Sequence, residues 1–183
     1  MLINPFKIPF HIYSLDNWEE KKKNILGSLP DFKDHKLCGE GSNPSENYSD
    51  FHANFDKAPS YAGVVVESIR KEIVKFCEET QLNWDMLNMW FQSYEKSNNF
   101  SIHNHGGEGY SAVLYVEYDS EEHPGTVFYS PFPNWTKNRA GTYEAYVPDV
   151  KEGDLIIFPA SIQHEVPSNR SEKRRTVISF NLK

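Results

Sequence analysis

From residue 88 onward the chain is a succession of short apolar segments broken by turn formers, and this pattern constrains the fold more than any other feature. The segments are "NMWFQSYE", "FSIH", "YSAVLYVEY", "TVFYS", "TYEAYV", "DLIIF", "HEV" and "RTVISFNL". They are rich in β-branched and aromatic residues, and Gly, Pro, Asn or Asp separates them. Eight short strands in succession predict two stacked antiparallel sheets, a sandwich or jelly roll.

The first 87 residues read differently. "FKIPFHIYSL" suits an edge strand, with Pro5 and Pro9 guarding it. Asp16 opens a predicted helix, with Glu19 three positions on in the arrangement of a capping box, and Gly27 ends it. Residues 33–59 are polar and aperiodic and predict a long surface loop that could serve as a lid. A second helix follows Ser60: Val65, Ile69, Ile73 and Phe76 fall on one face, and Glu67, Arg70, Lys71 and Lys75 on the other. The expected class is α+β, with these helices packed on one sheet of a jelly roll in a single domain spanning 1–183, of which 1–87 carry the helices and loop and 88–183 the jelly-roll core.

Bulk properties exclude some functions. A net charge of −7 argues against general nucleic-acid binding, which needs a basic face. No apolar run reaches membrane length and the start lacks a signal-peptide pattern, so a cytoplasmic protein is expected. Cys38 and Cys77 form no metal or redox motif.

The chemistry concentrates in "SIHNHGG" and in the last three strands. His103 and His105 stand at i and i+2 where a strand enters a glycine turn, so both imidazoles can reach one ion. His164 follows the buried strand "DLIIF" and a turn, and a jelly roll can bring strand ends together. His11, His35, His52 and His123 sit in polar or loop contexts and form no pattern. On the last strand, alternation puts Arg175, Val177, Ser179 and Asn181 on one face and Thr176, Ile178, Phe180 and Leu182 on the other. The second face suits the core beneath the helices. The first suits a pocket, in which Arg175 can grip a carboxylate through two parallel hydrogen bonds. Arg174 belongs to the helix side and should escape to solvent.

The stretches "HNHGGEGYSAVLYVEY", "GTVFYSP", "GDLIIFPASIQHEVPSN" and "RRTVISFNL" resemble the iron(II)- and 2-oxoglutarate-dependent oxygenases, in the expected order and over roughly half the chain. Small bacterial and phage members of that superfamily and the prolyl-hydroxylase type are the relevant relatives. The resemblance implies a double-stranded β-helix using Fe(II), 2-oxoglutarate and O2. It implies iron ligation by His103 and His164, and a salt bridge from Arg175 to the distal carboxylate of 2-oxoglutarate. Tyr115, Tyr94 and Ser179 match further contacts to that cosubstrate. Trp90, Gln92, Tyr110 and Trp135 are candidates for the substrate mouth.

One position departs from the pattern. Where relatives carry Asp or Glu, this chain has His105. His105 is the third ligand of a three-His site, or His105 and Glu108 serve with His103 outside, or the slot is open to water or halide. The implied activity is hydroxylation of a small-molecule or peptide substrate with release of succinate and CO2. Two alternatives stand beside it. One is a cupin-like three-His iron dioxygenase that does not use 2-oxoglutarate and has no need of Arg175. The other is a non-catalytic jelly-roll binding module with no need of His164.

Overall fold

The structure, a computed structural model, describes residues 7–32, 47–54, 57–133 and 142–183. The chain runs β1 (His11–Ser14), α1 (Trp18–Ser28), β2 (Tyr48–Ser49), a 3-10 turn (Phe51–Asn54) and α2 (Ala62–Thr80). Then come β3 (Met86–Tyr94), β4 (Phe100–His103), β5 (Tyr110–Glu117), β6 (Val127–Pro133), β7 (Tyr143–Tyr146), β8 (Asp154–Pro159), β9 (His164–Val166) and β10 (Arg175–Leu182). Each of the eight segments predicted from residue 88 onward forms a strand. Among the described residues the strands build a six-stranded sheet, β1-β8-β5-β10-β3-β2, and a four-stranded sheet, β4-β9-β6-β7. The pairings are antiparallel, and two helices with two facing sheets make the expected α+β jelly roll.

The six-stranded sheet has two differently used faces, because a strand's side chains alternate. Toward the helices it turns Met89, Phe91, Ala112, Leu114, Val116, Leu155, Ile157, Ile178, Phe180 and Leu182, which pack with Ile25, Val65, Ile69 and Phe76. Each fully buried Val, Leu, Ile, Phe or Met among them contributes about 1.5–3 kcal/mol. Toward the small sheet it turns Tyr94, Val113, Tyr115, Ile156, Phe158 and Val177, which meet Phe128 and Val166. The face assignment of β10 is as the alternation predicts.

Two local expectations are corrected. Asp16 does not cap α1: Asn17 takes the cap position at φ 49° without a side-chain cap bond. The Asp16 carboxylate instead accepts from Lys21 at 2.9 Å and from Lys71 of α2 at 2.7 Å, fastening one helix to the other. Helix α1 also runs through Gly27 to Ser28, where Ser28 Oγ donates to the Ile25 carbonyl. Most of the predicted 33–59 loop, with Cys38 and His35, lies outside the described residues. Its last part forms β2 and the 3-10 turn. Buried Asp50 anchors it by accepting from the Phe91 amide at 2.9 Å and the Tyr61 hydroxyl at 2.8 Å. Gly109 makes the sharp entry into β5. Its φ is +79°, and a Cβ there would stand 2.2 Å from the Leu182 carbonyl oxygen, so only glycine fits.

Candidate metal centre

The small sheet aligns two histidines by register alone. His103 of β4 lies directly opposite His164 of β9, and side chains of such pairs meet on one face. His105 sits two residues past β4. Its amide donates to the Ala160 carbonyl at 2.9 Å, which folds the turn back over the pair. The three imidazoles converge, with one nitrogen from each within 4.8 Å of the others. The His105 and His164 Nε2 atoms are 3.3 Å apart. Two imidazole nitrogens bound to one metal at about 2.1 Å stand at roughly this separation.

Hydrogen bonds select the tautomers. His103 Nδ1 donates to the Ser101 carbonyl at 2.8 Å, and His164 Nδ1 donates to the Ile162 carbonyl at 2.9 Å. Each ring therefore keeps its Nε2 lone pair for an ion, as metal-bound histidines commonly do. His105 is oriented by stacking instead. Its ring lies 5.5 Å from the Trp90 indole at an interplanar angle of 27° and 5.1 Å from the His164 ring at 14°. Burial favours the neutral form of each. It holds His103 below its ordinary value, and His105 falls to about 4 by burial and then by its neighbour His103. His164 falls to about 3 through burial, His103 and His105, against the opposing bond to Ile162.

Behind the trio, between the sheets, lies a narrow cavity lined by Tyr94, Ser111, Thr126, Arg175, Val177 and Ser179 among others. Arg175 is fully buried. Its Nη2 donates to Thr126 Oγ1 at 3.1 Å, whereas its Nε and Nη1 have no hydrogen-bond partner among the described residues. The guanidinium is held in place by aromatic faces, 4.8 Å from the Tyr94 ring, 5.5 Å from Tyr115 and 5.8 Å from Tyr118. An unpaired buried cation is costly, so a site of this kind fits an anion. No carboxylate is among the described lining residues. The donor set thus fits Fe(II) at the three imidazoles and a dicarboxylate reaching from there to Arg175.

The remaining expected residues fall into three groups. Tyr94 and Ser179 line the cavity. Ser179 donates to Gln92 Oε1 at 3.0 Å. Tyr115 stands one step back: its hydroxyl donates to Thr126 Oγ1 at 3.0 Å, so Thr126 lies between it and the cavity. Trp90 and Gln92 border a second, outer chamber beside His103 and His105.

Two candidates are elsewhere, and one lies outside the described residues. Glu108 does not join the trio. It is largely exposed and pairs with Lys183. Tyr110 is corrected as a substrate contact, because it shares strand parity with Ala112 and Leu114 and so packs on the helix side against Phe76 and Trp84. Trp135 lies outside the described residues.

Sequence reasoning missed Thr126, Phe51 and His52. Thr126 has no motif of its own. Phe51 and His52 come from an aperiodic loop that the β2–β3 pairing and the Asp50 anchor bring to the site. His123, which the sequence places in a polar or loop context without a pattern, is buried. It accepts from the Asp119 amide at 2.9 Å and donates to the Lys173 carbonyl at 3.1 Å, which ties the loop bearing Thr126 to the segment entering β10.

Residues 88–181 match the model of the family described as "Putative 2OG-Fe(II) oxygenase". The chain belongs to this family. It is accordingly an oxidoreductase, and its cofactors are Fe(II) and 2-oxoglutarate, with O2 as oxidant. No curated protein matches this oxygenase in sequence.

Solved structures share its fold. One is the α-ketoglutarate-dependent carbocyclase SnoK of nogalamycin biosynthesis, with a TM-score of 0.70 and 9% identity over 94% of this chain and 78% of that one. HygX of Streptomyces hygroscopicus, solved with nickel, 2-oxoglutarate and hygromycin B, gives 0.66 and 12% over 96% and 82%. A Trichoplax adhaerens prolyl hydroxylase, bound to a hypoxia-inducible-factor peptide fragment, gives 0.60 and 14% over 94% and 82%. No helix among the described residues is long and apolar enough to cross a membrane.

Proposed function

We propose that this oxygenase hydroxylates a small-molecule or peptide substrate at a three-His iron centre formed by His103, His105 and His164, with Arg175 holding the distal carboxylate of 2-oxoglutarate. The observation that carries the reading is the pairing of two features in one cavity: three converging imidazole nitrogens and a buried guanidinium with two unused donors. When bound, iron(II) and 2-oxoglutarate supply the chemistry that couples reduction of O2 to oxidation of a C–H bond, with release of succinate and CO2.

The chain's own residues bind, orient and exclude water. The Ser101 and Ile162 carbonyls fix the rings of His103 and His164 so that Nε2 faces inward. Trp90 fixes His105 by stacking. Arg175 offers its unused Nε and Nη1 donors to a carboxylate, charge-assisted hydrogen bonds in a low-dielectric setting. Thr126 Oγ1 accepts hydrogen bonds from both Tyr115 and Arg175, so its own hydroxyl proton is available to the same carboxylate. Tyr94 and Ser179 complete the polar wall. The apolar walls of Val113, Phe158, Val166 and Val177 keep water out. Because all three proposed ligands are neutral, the metal keeps its full charge, and that charge with Arg175 favours a dianionic cosubstrate.

Two experiments test this reading. Anaerobic titration with iron(II) should show stoichiometric binding by the wild type and none by His164→Ala. Oxygen uptake should require 2-oxoglutarate and fail in Arg175→Ala. Uptake that is independent of 2-oxoglutarate and unchanged in Arg175→Ala would support the cupin-like alternative instead.

A further inference from the structure

The outer chamber carries an inference about the substrate, and it rests on the proposed oxygenase site. The chamber has a volume of about 280 Å³ and is bounded by Ser49, Phe51, His52, Trp90, Gln92, Phe100, His103, Asn104 and His105. It shares Gln92, Phe100, His103 and His105 with the inner cavity but not Arg175, so a group placed in it lies against His103 and His105. Ordinary ligand pockets begin at about 300 Å³, which makes this one the size of a single ring or one side chain.

Its lining specifies chemistry. Phe51, Trp90 and Phe100 supply three aromatic rings, with Phe51 edge-on to Trp90 at 4.9 Å. Among the described lining residues there is no carboxylate, ammonium or guanidinium to meet a charged group. A charge buried there would lose its water without compensation. The polar groups have their acceptor atoms already engaged. Gln92 Oε1 accepts from Ser179 at 3.0 Å, Asn104 Oδ1 from the Gly106 amide at 3.2 Å, and Ser49 Oγ from the Phe51 amide at 3.2 Å. What remains for a ligand is mainly donors: two amide NH2 groups and one hydroxyl proton.

We propose that the outer chamber receives the group to be oxidised, and that this group is an uncharged planar ring with hydrogen-bond acceptors on it or on the group attached to it. Such a ring packs offset or edge-on against Trp90 and Phe51 and takes hydrogen bonds from Gln92, Asn104 and Ser49. It comes either from a free small molecule or from one residue of a peptide.

Calorimetric titrations of the Ni(II)- and 2-oxoglutarate-loaded protein test this. Indole-3-carboxamide serves as the free ring and N-acetyltryptophanamide as the ring on a blocked residue. Tryptamine and indole-3-acetate are the charged counterparts. At least one uncharged probe is expected to saturate one site, with the charged probes about tenfold weaker or more. Preference for the carboxamide assigns the ring to a free metabolite, and preference for the blocked residue assigns it to a peptide. Phe51→Ala, and separately Trp90→Leu, are expected to weaken ring binding roughly tenfold, while Ni(II) and 2-oxoglutarate still bind Phe51→Ala.

The inference is overturned if a charged probe binds as well as its uncharged partner. It is equally overturned if Phe51→Ala leaves ring binding unchanged, or if no ring binds a protein that holds Ni(II) and 2-oxoglutarate. Failure to hold Ni(II) and 2-oxoglutarate at all would sink the oxygenase site together with this inference.

Discussion

Arg174 and Arg175 are adjacent in the chain and leave opposite faces of the six-stranded sheet. Arg174 forms two parallel hydrogen bonds to Glu117, Nε to Oε2 at 2.9 Å and Nη2 to Oε1 at 3.0 Å, and its guanidinium lies 4.7 Å from the Phe32 ring. Arg175 is fully buried, and two of its donor atoms have no hydrogen-bond partner among the described residues. The same side chain is thus structurally complete on the helix side and incomplete on the cavity side. A paired surface arginine contributes little to stability, about 0–1 kcal/mol. A buried arginine with unused donors is held at a cost, and the fold bears that cost where a ligand completes the pairing. The contrast extends along β10, where Ile178, Phe180 and Leu182 pack beneath the helices while Arg175 and Ser179 line the cavity.

The comparison can be broken most sharply at the metal ligands. His103→Ala or His164→Ala should lower Ni(II) affinity by more than about a hundredfold, since even the outer partners of metal ligands account for about 10–100-fold. Isothermal titration checks this. Next come the two arginines. Arg175→Met should raise the dissociation constant of 2-oxoglutarate by roughly 30- to 1,000-fold, the ordinary cost of removing one partner of a buried charge pair. Arg174→Met should leave it unchanged. Equal effects of the two substitutions would erase the distinction between the faces.

A pH series sharpens the comparison further. The folded-state values of all three imidazoles lie below the ordinary 6.5, with His105 near 4 and His164 near 3. Protonation therefore favours the unfolded chain. The contribution of the trio to stability is complete above pH 6.5 and is lost as pH falls toward those values. The melting temperature of the metal-free protein should drop between pH 7 and pH 4.5, and His164→Phe should reduce that drop. The smallest effect belongs to Glu108. Glu108→Ala removes only an exposed pair with Lys183 and should leave Ni(II) binding within about twofold of wild type, in contrast to His105→Ala.

Much of this was legible in the sequence, for physical reasons that differ by residue. Strand alternation foretold the separation of Arg174 from Arg175, because the period of two is a geometric property of the backbone. The same rule applied to β5 puts Tyr110 in register with Ala112 and Leu114, on the helix side; its aromatic character alone had suggested a substrate contact. The convergence of His103 with His164 depends on the register between β4 and β9, which local sequence does not encode. Phe51 and His52 reach the site through the pairing of β2 with β3 and the buried bonds of Asp50 to Phe91 and Tyr61, long-range contacts without a periodic signal. Asp16 has the residue type of a helix cap, yet two lysines compete for its carboxylate and prevail.

The most direct test of the central claim is an anaerobic crystal structure of the Fe(II) and 2-oxoglutarate complex. The expected result is one metal bound by Nε2 of His103, His105 and His164 at about 2.1 Å, with the distal carboxylate of 2-oxoglutarate hydrogen-bonded to the Arg175 guanidinium. A metal that leaves out His105, or a distal carboxylate bound anywhere other than Arg175, would contradict it.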